Sequence, residues 1–264
     1  MTSEISNPTG IAAYKPAEIA RLIEAAGVAK TQLGLLQMTA LALLAGAFIA
    51  FGAAFYTLVM TGVDSGHGPA RLLGGAAFSL GLILVLVGGA ELFTGNALMV
   101  MAWVDRRIAT GAMLRAWGIV YRGNLAGALG MALLVSLSGT LSGPVGEVAV
   151  RIAEAKMALP PLEALVRGIL CNALVCLAVW LTFAAASVAG KILAILWPIT
   201  AFVALGFEHS IANMYLIPVG LLAGAEGGAA GFLANLLPVT VGNIIGGAGG
   251  VALAYWAAYR RGHS

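Results

Sequence analysis

Six apolar stretches, nearly free of charge, dominate this chain and cover residues 37–61, 72–103, 111–138, 162–188, 192–223 and 232–259. Each reaches the roughly 20 residues that a helix needs to cross a bilayer. None shows the short alternating segments of an outer-membrane barrel. The pattern predicts an all-α membrane protein with six transmembrane helices. The second and fifth stretches are too long and too interrupted to be single straight helices. One contains Gly88-Gly89-Ala90-Glu91, and the other contains Gly206-Phe207-Glu208-His209 between Pro198 and Pro218. Glycine and proline break helices, and a charge near the bilayer centre costs about 2.5–3.5 kcal/mol. Irregular polar backbone survives at that depth only where it lines a cavity or packs inside protein. A permeation site is therefore expected at these breaks.

Between the stretches the pattern changes. Residues 1–14 read as a disordered tail. From Pro16 to Gly34, Ile19, Leu22, Ile23 and Ala26 recur at helical spacing with charges elsewhere. This predicts an amphipathic helix, lying on the cytoplasmic membrane surface or packed under the bundle, with a cytosolic partner site as the sharper alternative. A second short helix is expected over 145–157, carrying Glu147, Arg151, Glu154 and Lys156. No compact apolar core precedes the first stretch, so no signal peptide is expected.

Composition supports this reading: 61% of the 264 residues are hydrophobic and only 9% charged, with mean hydropathy +0.98. A net charge of +3 reports topology here, and nucleic acid is not implied. Six spans put both termini on one side. With them go Lys15, Arg21, Lys30, Arg106, Arg107, Arg115, Lys191, Arg260 and Arg261. Arg71, Arg151, Lys156 and Arg167 fall opposite, and Arg122 lies inside the third stretch. The positive-inside rule then makes both termini cytoplasmic. Cys171 and Cys176 show no metal-ligand spacing and read as small core residues. No metal, cofactor or catalytic group is expected; an enzyme would need a nucleophile, a metal cluster or a cofactor loop.

The two halves echo one another. Glu91 and Asn96 lie five apart, as do Glu208 and Asn213. Gly123-Asn124-Leu125-Ala126-Gly127 matches Gly242-Asn243-Ile244-Ile245-Gly246, and acid and asparagine are 33 residues apart in one half and 35 in the other. Three spans per half make the repeat inverted, with a site near the midplane where the breaks meet. The organisation expected is one transmembrane domain over 1–264: a tail and amphipathic helix over 1–36, repeats over 37–140 and 162–264, and a periplasmic loop over 141–161. The Gly-x-x-x-Gly pieces read as close helix contacts, with Asn124 and Asn243 bonding across helices. Glu91 reads as a structural acid that holds backbone N–H groups of its break.

Four segments carry a resemblance: 91–96, 206–213, 238–247, and Asn172-Ala173-Leu174-Val175-Cys176-Leu177-Ala178-Val179-Trp180. Together they closely resemble the formate/nitrite transporter family. The resemblance implies an aquaporin-like protomer with broken helices two and five, a homopentamer in the bacterial inner membrane, and one pore per protomer. It makes His209 the central pore histidine, supported by Glu208 and Asn213 and paired with Asn172, and Thr94 the gating threonine. Phe78 and Phe202 are expected to form the periplasmic ring, Leu82, Phe93 and Val175 the cytoplasmic one, and Lys156 the vestibule lysine.

The expected function is transport of formate, a small weak-acid anion, together with a proton. His209 titrates near neutrality in its free form, so it suits a proton relay or a hydrogen-bond donor to the anion. Nitrite, hydrosulfide or acetate remain alternative substrates. A neutral-solute pore shares the architecture, but neither break carries an Asn-Pro-Ala motif.

Overall fold

The structure is a computed structural model that describes residues 14–64 and 66–261. The tail expected over 1–14 thus lies, Tyr14 apart, outside the described residues. Every described element is helical: α1 (Pro16–Thr31), α2 (Leu35–Val59), α3 (Gly68–Gly88), a 3-10 turn (Gly95–Met99), α4 (Val100–Val104), α5 (Thr110–Leu137), α6 (Pro144–Met157), α7 (Pro161–Ala184), α8 (Val188–Ala204), α9 (Ser210–Leu222), α10 (Gly228–Ile244), a π segment (Ile245–Ala252) and α11 (Leu253–Tyr259). Helices α2, α3, α5, α7 and the continuous run Gly228–Tyr259 are long and apolar enough to cross a membrane. Prolines near the first turns of α1, α3, α6 and α7 start those helices where a backbone N–H would lack a partner anyway.

Helix α2 packs on α3 and α5, α3 also on α8, and α7 on α8 and α10. Four of these contacts are backbone to backbone: α2–α3, where a Cβ on Gly52 would meet the Phe78 carbonyl, α3–α8, where one on Gly75 would meet the Thr200 carbonyl, α2–α5 and α7–α10. A Cβ on Gly46 would collide with the Asn124 carbonyl, and one on Gly127 with the Leu43 carbonyl, so α2 and α5 touch through glycines on both sides. Gly242 of α10 and Gly246 of the π segment meet the Leu165 and Ile169 carbonyls in the same way, locking both elements to α7. Lipid offers no hydrophobic drive for such pairs, and close van der Waals packing supplies it instead.

An uninterrupted helix was expected over 232–259. The structure instead inserts the π segment, whose glycine-rich stretch presses on α7 and the 3-10 turn. A Cβ on Gly247 would strike the Asn172 amide, Ala97 and Cys176. The widened turn brings this backbone to the second-helix break, a common setting for π-bulges.

Helix α1 is packed under the bundle, against the 3-10 turn, α4, α7 and α11, which decides between the two placements expected for it. Ile19, Ala20 and Ile23 are buried there. So is Glu24, whose carboxylate takes Arg260 at 2.7 Å and Arg107 at 3.3 Å. Asp105 binds the same Arg260 at 3.4 Å and accepts a hydrogen bond from the Trp256 indole. Burial and the neighbouring Asp105 push the Glu24 carboxyl above its ordinary value despite Arg260.

Two outcomes are expected from this packing. Gly127→Ala should lower the thermal midpoint in detergent clearly, as overpacking by about 1–3 kcal/mol would. Gly130→Ala, at a site open on all sides, should leave it unchanged; equal effects would show that the α2–α5 contact is not backbone-limited. Glu24→Ala leaves Arg107 and Arg260 facing each other without their shared acid. Trypsin should then cut at Arg21 or Lys30 several-fold faster in the folded protein, and an unchanged digest would mean that apolar contacts alone hold α1.

Candidate permeation site

Each apolar break is held by one asparagine. At the first, between α3 and the 3-10 turn, Asn124 of α5 accepts the Phe93 N–H at 2.9 Å and donates to the Ala42 and Glu91 carbonyls at 2.8 and 2.9 Å. At the second, between α8 and α9, Asn243 of α10 accepts the Ser210 N–H at 2.9 Å and donates to the Gly168 and Glu208 carbonyls at 2.8 and 2.9 Å. Both side chains are fully buried. One acceptor and two donors thus replace bonds that a continuous helix would have made for itself.

Beside each clasp stands a buried acid with a lysine. Lys30 of α1 reaches both Glu91 oxygens and the Asn96 side-chain oxygen, each at 2.8 Å, while the Asn96 amide donates to Glu91 at 2.9 Å. Lys156 of α6 reaches Glu208 at 2.8 Å, and Asn213 donates to Glu208 at 2.6 Å and to Asn235 at 2.7 Å. Asn235 in turn donates to the Lys156 carbonyl at 2.9 Å. Glu91 therefore does not hold backbone N–H groups, as expected from sequence; it holds Lys30, and Asn124 does the backbone work. Sequence reasoning missed Lys30 and Asn235. A signal for Lys30 existed: α1 and α6 both open on proline and carry a lysine in the last turn, so the repeat extends to the amphipathic helices.

The two breaks meet at His209. Its Nδ1 accepts the Ala212 N–H at 3.1 Å, so the imidazole caps the helix it begins. Nδ1 is then the unprotonated nitrogen, and Nε2–H points to the Thr94 hydroxyl at 2.9 Å. Thr94 is fixed in turn: Asn172 donates to its carbonyl at 3.2 Å and to the Asn243 carbonyl at 2.6 Å. Asn172 thus joins the two halves through backbone.

Phe78 and Phe202 meet edge to face at 5.6 Å, and Phe202 lies against the imidazole at 5.9 Å. Both line a cavity of about 70 Å³ with His209, Lys156 and Asn213. A wider vestibule of about 750 Å³ opens beyond it on the α6 face, lined by Arg71, Arg151, Lys156 and Arg167 among others. All four cations that loop assignment placed together share this vestibule. On the α1 face a cavity of about 110 Å³ is lined by Lys30, Leu82, Leu92, Asn96 and Val179.

Leu82 borders this last cavity and Phe93 does not. Its ring stands edge-on to Trp117 and Tyr121, at 5.8 and 4.8 Å, and faces a groove between α5 and α10. Leu92 occupies the cavity in its place. Val175 is fully buried in the core and borders none of these cavities.

The family profile described as Formate/nitrite transporter matches residues 17–257. Formate channel FocA of Escherichia coli strain K12 is 42% identical over 269 positions, covering 93% of this chain and 94% of its own. A solved FNT family ion channel superposes with a TM-score of 0.86 at 31% identity, covering 91% of this chain and 98% of that one. A pentameric formate channel with formate bound superposes with a TM-score of 0.76 at 35% identity, covering 85% and 97%. These matches span nearly all of a chain whose helices are built to cross a membrane, and the chain belongs to the formate/nitrite transporter family.

Proposed function

We propose that the protein carries formate across the bacterial inner membrane, one pore per protomer of a homopentamer, as neutral formic acid formed in transit. The observation that carries this reading is the His209 Nε2–Thr94 contact of 2.9 Å, placed between two lysine-bearing cavities. In this reading α3 with residues 95–104, and α8 with α9, each make one broken crossing. That gives six spans in two inverted halves, with the α1 face cytoplasmic and the α6 face periplasmic. Relatives named as formate channels and the formate-bound pentamer support the substrate and the assembly.

Lys156 and Lys30 offset the acids Glu208 and Glu91 beside the site, so no net negative charge there repels an anion. A bare carboxylate would pay heavily to enter the small cavity behind Phe78 and Phe202, while a neutral acid loses far less. His209 narrows how the proton is handled. With Nδ1 occupied by the helix cap, the imidazole has one proton, on Nε2. Giving it away would leave an imidazolate, which is too basic to form near neutral pH. His209 therefore donates from Nε2 to the Thr94 oxygen, which turns the Thr94 hydroxyl proton toward the anion, and the proton that neutralises formate arrives from water in the vestibule. Of the two roles expected for His209, donor and relay, the donor fits this geometry, acting through Thr94. Thr94 hands the substrate across the meeting point of the breaks.

Labelled-formate uptake into proteoliposomes under an inward proton gradient tests the reading, with protein-free liposomes to subtract passive leak. His209→Asn keeps a side chain able to cap α9 but withdraws the donor from Thr94. Uptake should fall about tenfold or more, the scale of one hydrogen bond to a charged group. Wild-type uptake in that variant would remove His209 from the mechanism, and uptake of nitrite but not formate by the unaltered protein would reassign the substrate.

A further inference from the structure

Of the four cations that line the α6-face vestibule, Lys156 is paired with Glu208, Arg167 with Glu163 and Arg151 with Glu147 at 3.9 Å, which leaves Arg71 without an acid partner among the described residues. Asp64 lines the vestibule as well. Two of these cations converge. Arg167 is fixed by Glu163 at 3.0 Å through Nη2 and donates from Nη1 to the Gly206 carbonyl at 3.4 Å. Arg71 approaches the same residue from the start of α3. A Cβ on Gly206 would lie 3.0 Å from Arg71 Nη2 and 3.9 Å from Arg167 Nη1. The two guanidinium groups therefore stand no farther apart than the sum of those distances.

The Arg71 side chain makes no ion pair or hydrogen bond among the described residues. Like charges this close repel, and Glu163 answers only one of them, from its own helix. The pair gains most from an anion that can accept from both. Guanidinium forks match two coplanar oxygens, which makes a carboxylate the fitting partner. Gly206 adds the space, because its left-handed backbone (φ +72°) carries no side chain between the two arginines.

We propose that Arg71 and Arg167 form an oxyanion-binding station in the vestibule, ahead of Phe78 and Phe202, that takes small carboxylates. A monocarboxylate moves on from it, whereas a compact dicarboxylate such as oxalate binds and stays. The dianion bridges both forks, but would need two protons before it could enter the small cavity beyond. Oxalate is thus a competitive blocker of formate uptake from the α6 face. This consequence for transport rests on the proposed pore; the binding itself does not.

The test is calorimetric titration of oxalate into the detergent-solubilised full chain at fixed ionic strength, followed by formate uptake with oxalate outside the proteoliposomes. Saturable binding is expected. Arg71→Gln and Arg167→Gln should each weaken it about tenfold or more and shift the blocking concentration in parallel. Arg151→Gln removes the same charge from the same vestibule but away from Gly206, so it should change binding less than about twofold. Absence of saturable binding, or equal weakening by all three substitutions, overturns the station and leaves only diffuse charge. Binding that follows the two arginines without any formate uptake to block would sustain the station and sink the proposed transport of formate.

Discussion

The structure depends on a debt created by opening two helices inside an apolar environment. Each break frees backbone N–H and C=O groups that lipid cannot satisfy, and each such group costs several kcal/mol in hydrocarbon. Asn124 and Asn243 answer for one break each, with the same three bonds. They can reach because the helices that carry them are pressed against α2 and α7 through glycines at Gly127, Gly242 and Gly246. Close packing and backbone satisfaction are therefore one device: a side chain on the glycine face would pull the asparagine away from its break.

From this device the chemistry of the site follows. Holding Phe93 N–H and the Glu91 carbonyl positions Thr94; holding Ser210 N–H and the Glu208 carbonyl positions His209. The first residues of α9 then require a cap, and His209 supplies it with Nδ1. That use of one ring nitrogen commits the other to carry the proton and to face Thr94. Of the two roles that the sequence suggests for His209, relay and hydrogen-bond donor, the proposed reading keeps the donor, because the helix cap already occupies Nδ1. Lys30 and Lys156 neutralise the buried acids of the breaks.

Much of this was legible in the chain. Acids flanked by glycines inside apolar stretches located both breaks, because a carboxylate is costly in a lipid-facing helix and glycine eases the turn beside it. The spacings from Glu91 to Asn124 and from Glu208 to Asn243 revealed the repeat, but they suggested bonds between helices for the two asparagines and left the backbone of the first break to Glu91. Other features were hidden for identifiable reasons. Lys30 looked like one charge among several on an amphipathic helix, and its partner lies 61 residues away. Whether Leu92 or Phe93 faces the pore depends on the dihedral angles of a non-helical segment, and adjacent residues there follow no period. The π segment was invisible because a glycine-rich stretch reads equally well as ordinary helix until its neighbours, Asn172 and Cys176, are known. Arg71 and Arg167 are brought together at Gly206 by tertiary packing alone.

The most direct test of the account is internal pH in dye-loaded proteoliposomes pulsed with formate near neutrality, with protein-free liposomes run alongside. Delivery of the neutral acid predicts a protein-dependent internal acidification that keeps pace with formate entry. Formate entry without acidification beyond the protein-free signal would mean that the bare anion passes His209, and the account of the site as a dry, hydrogen-bonding checkpoint would be wrong.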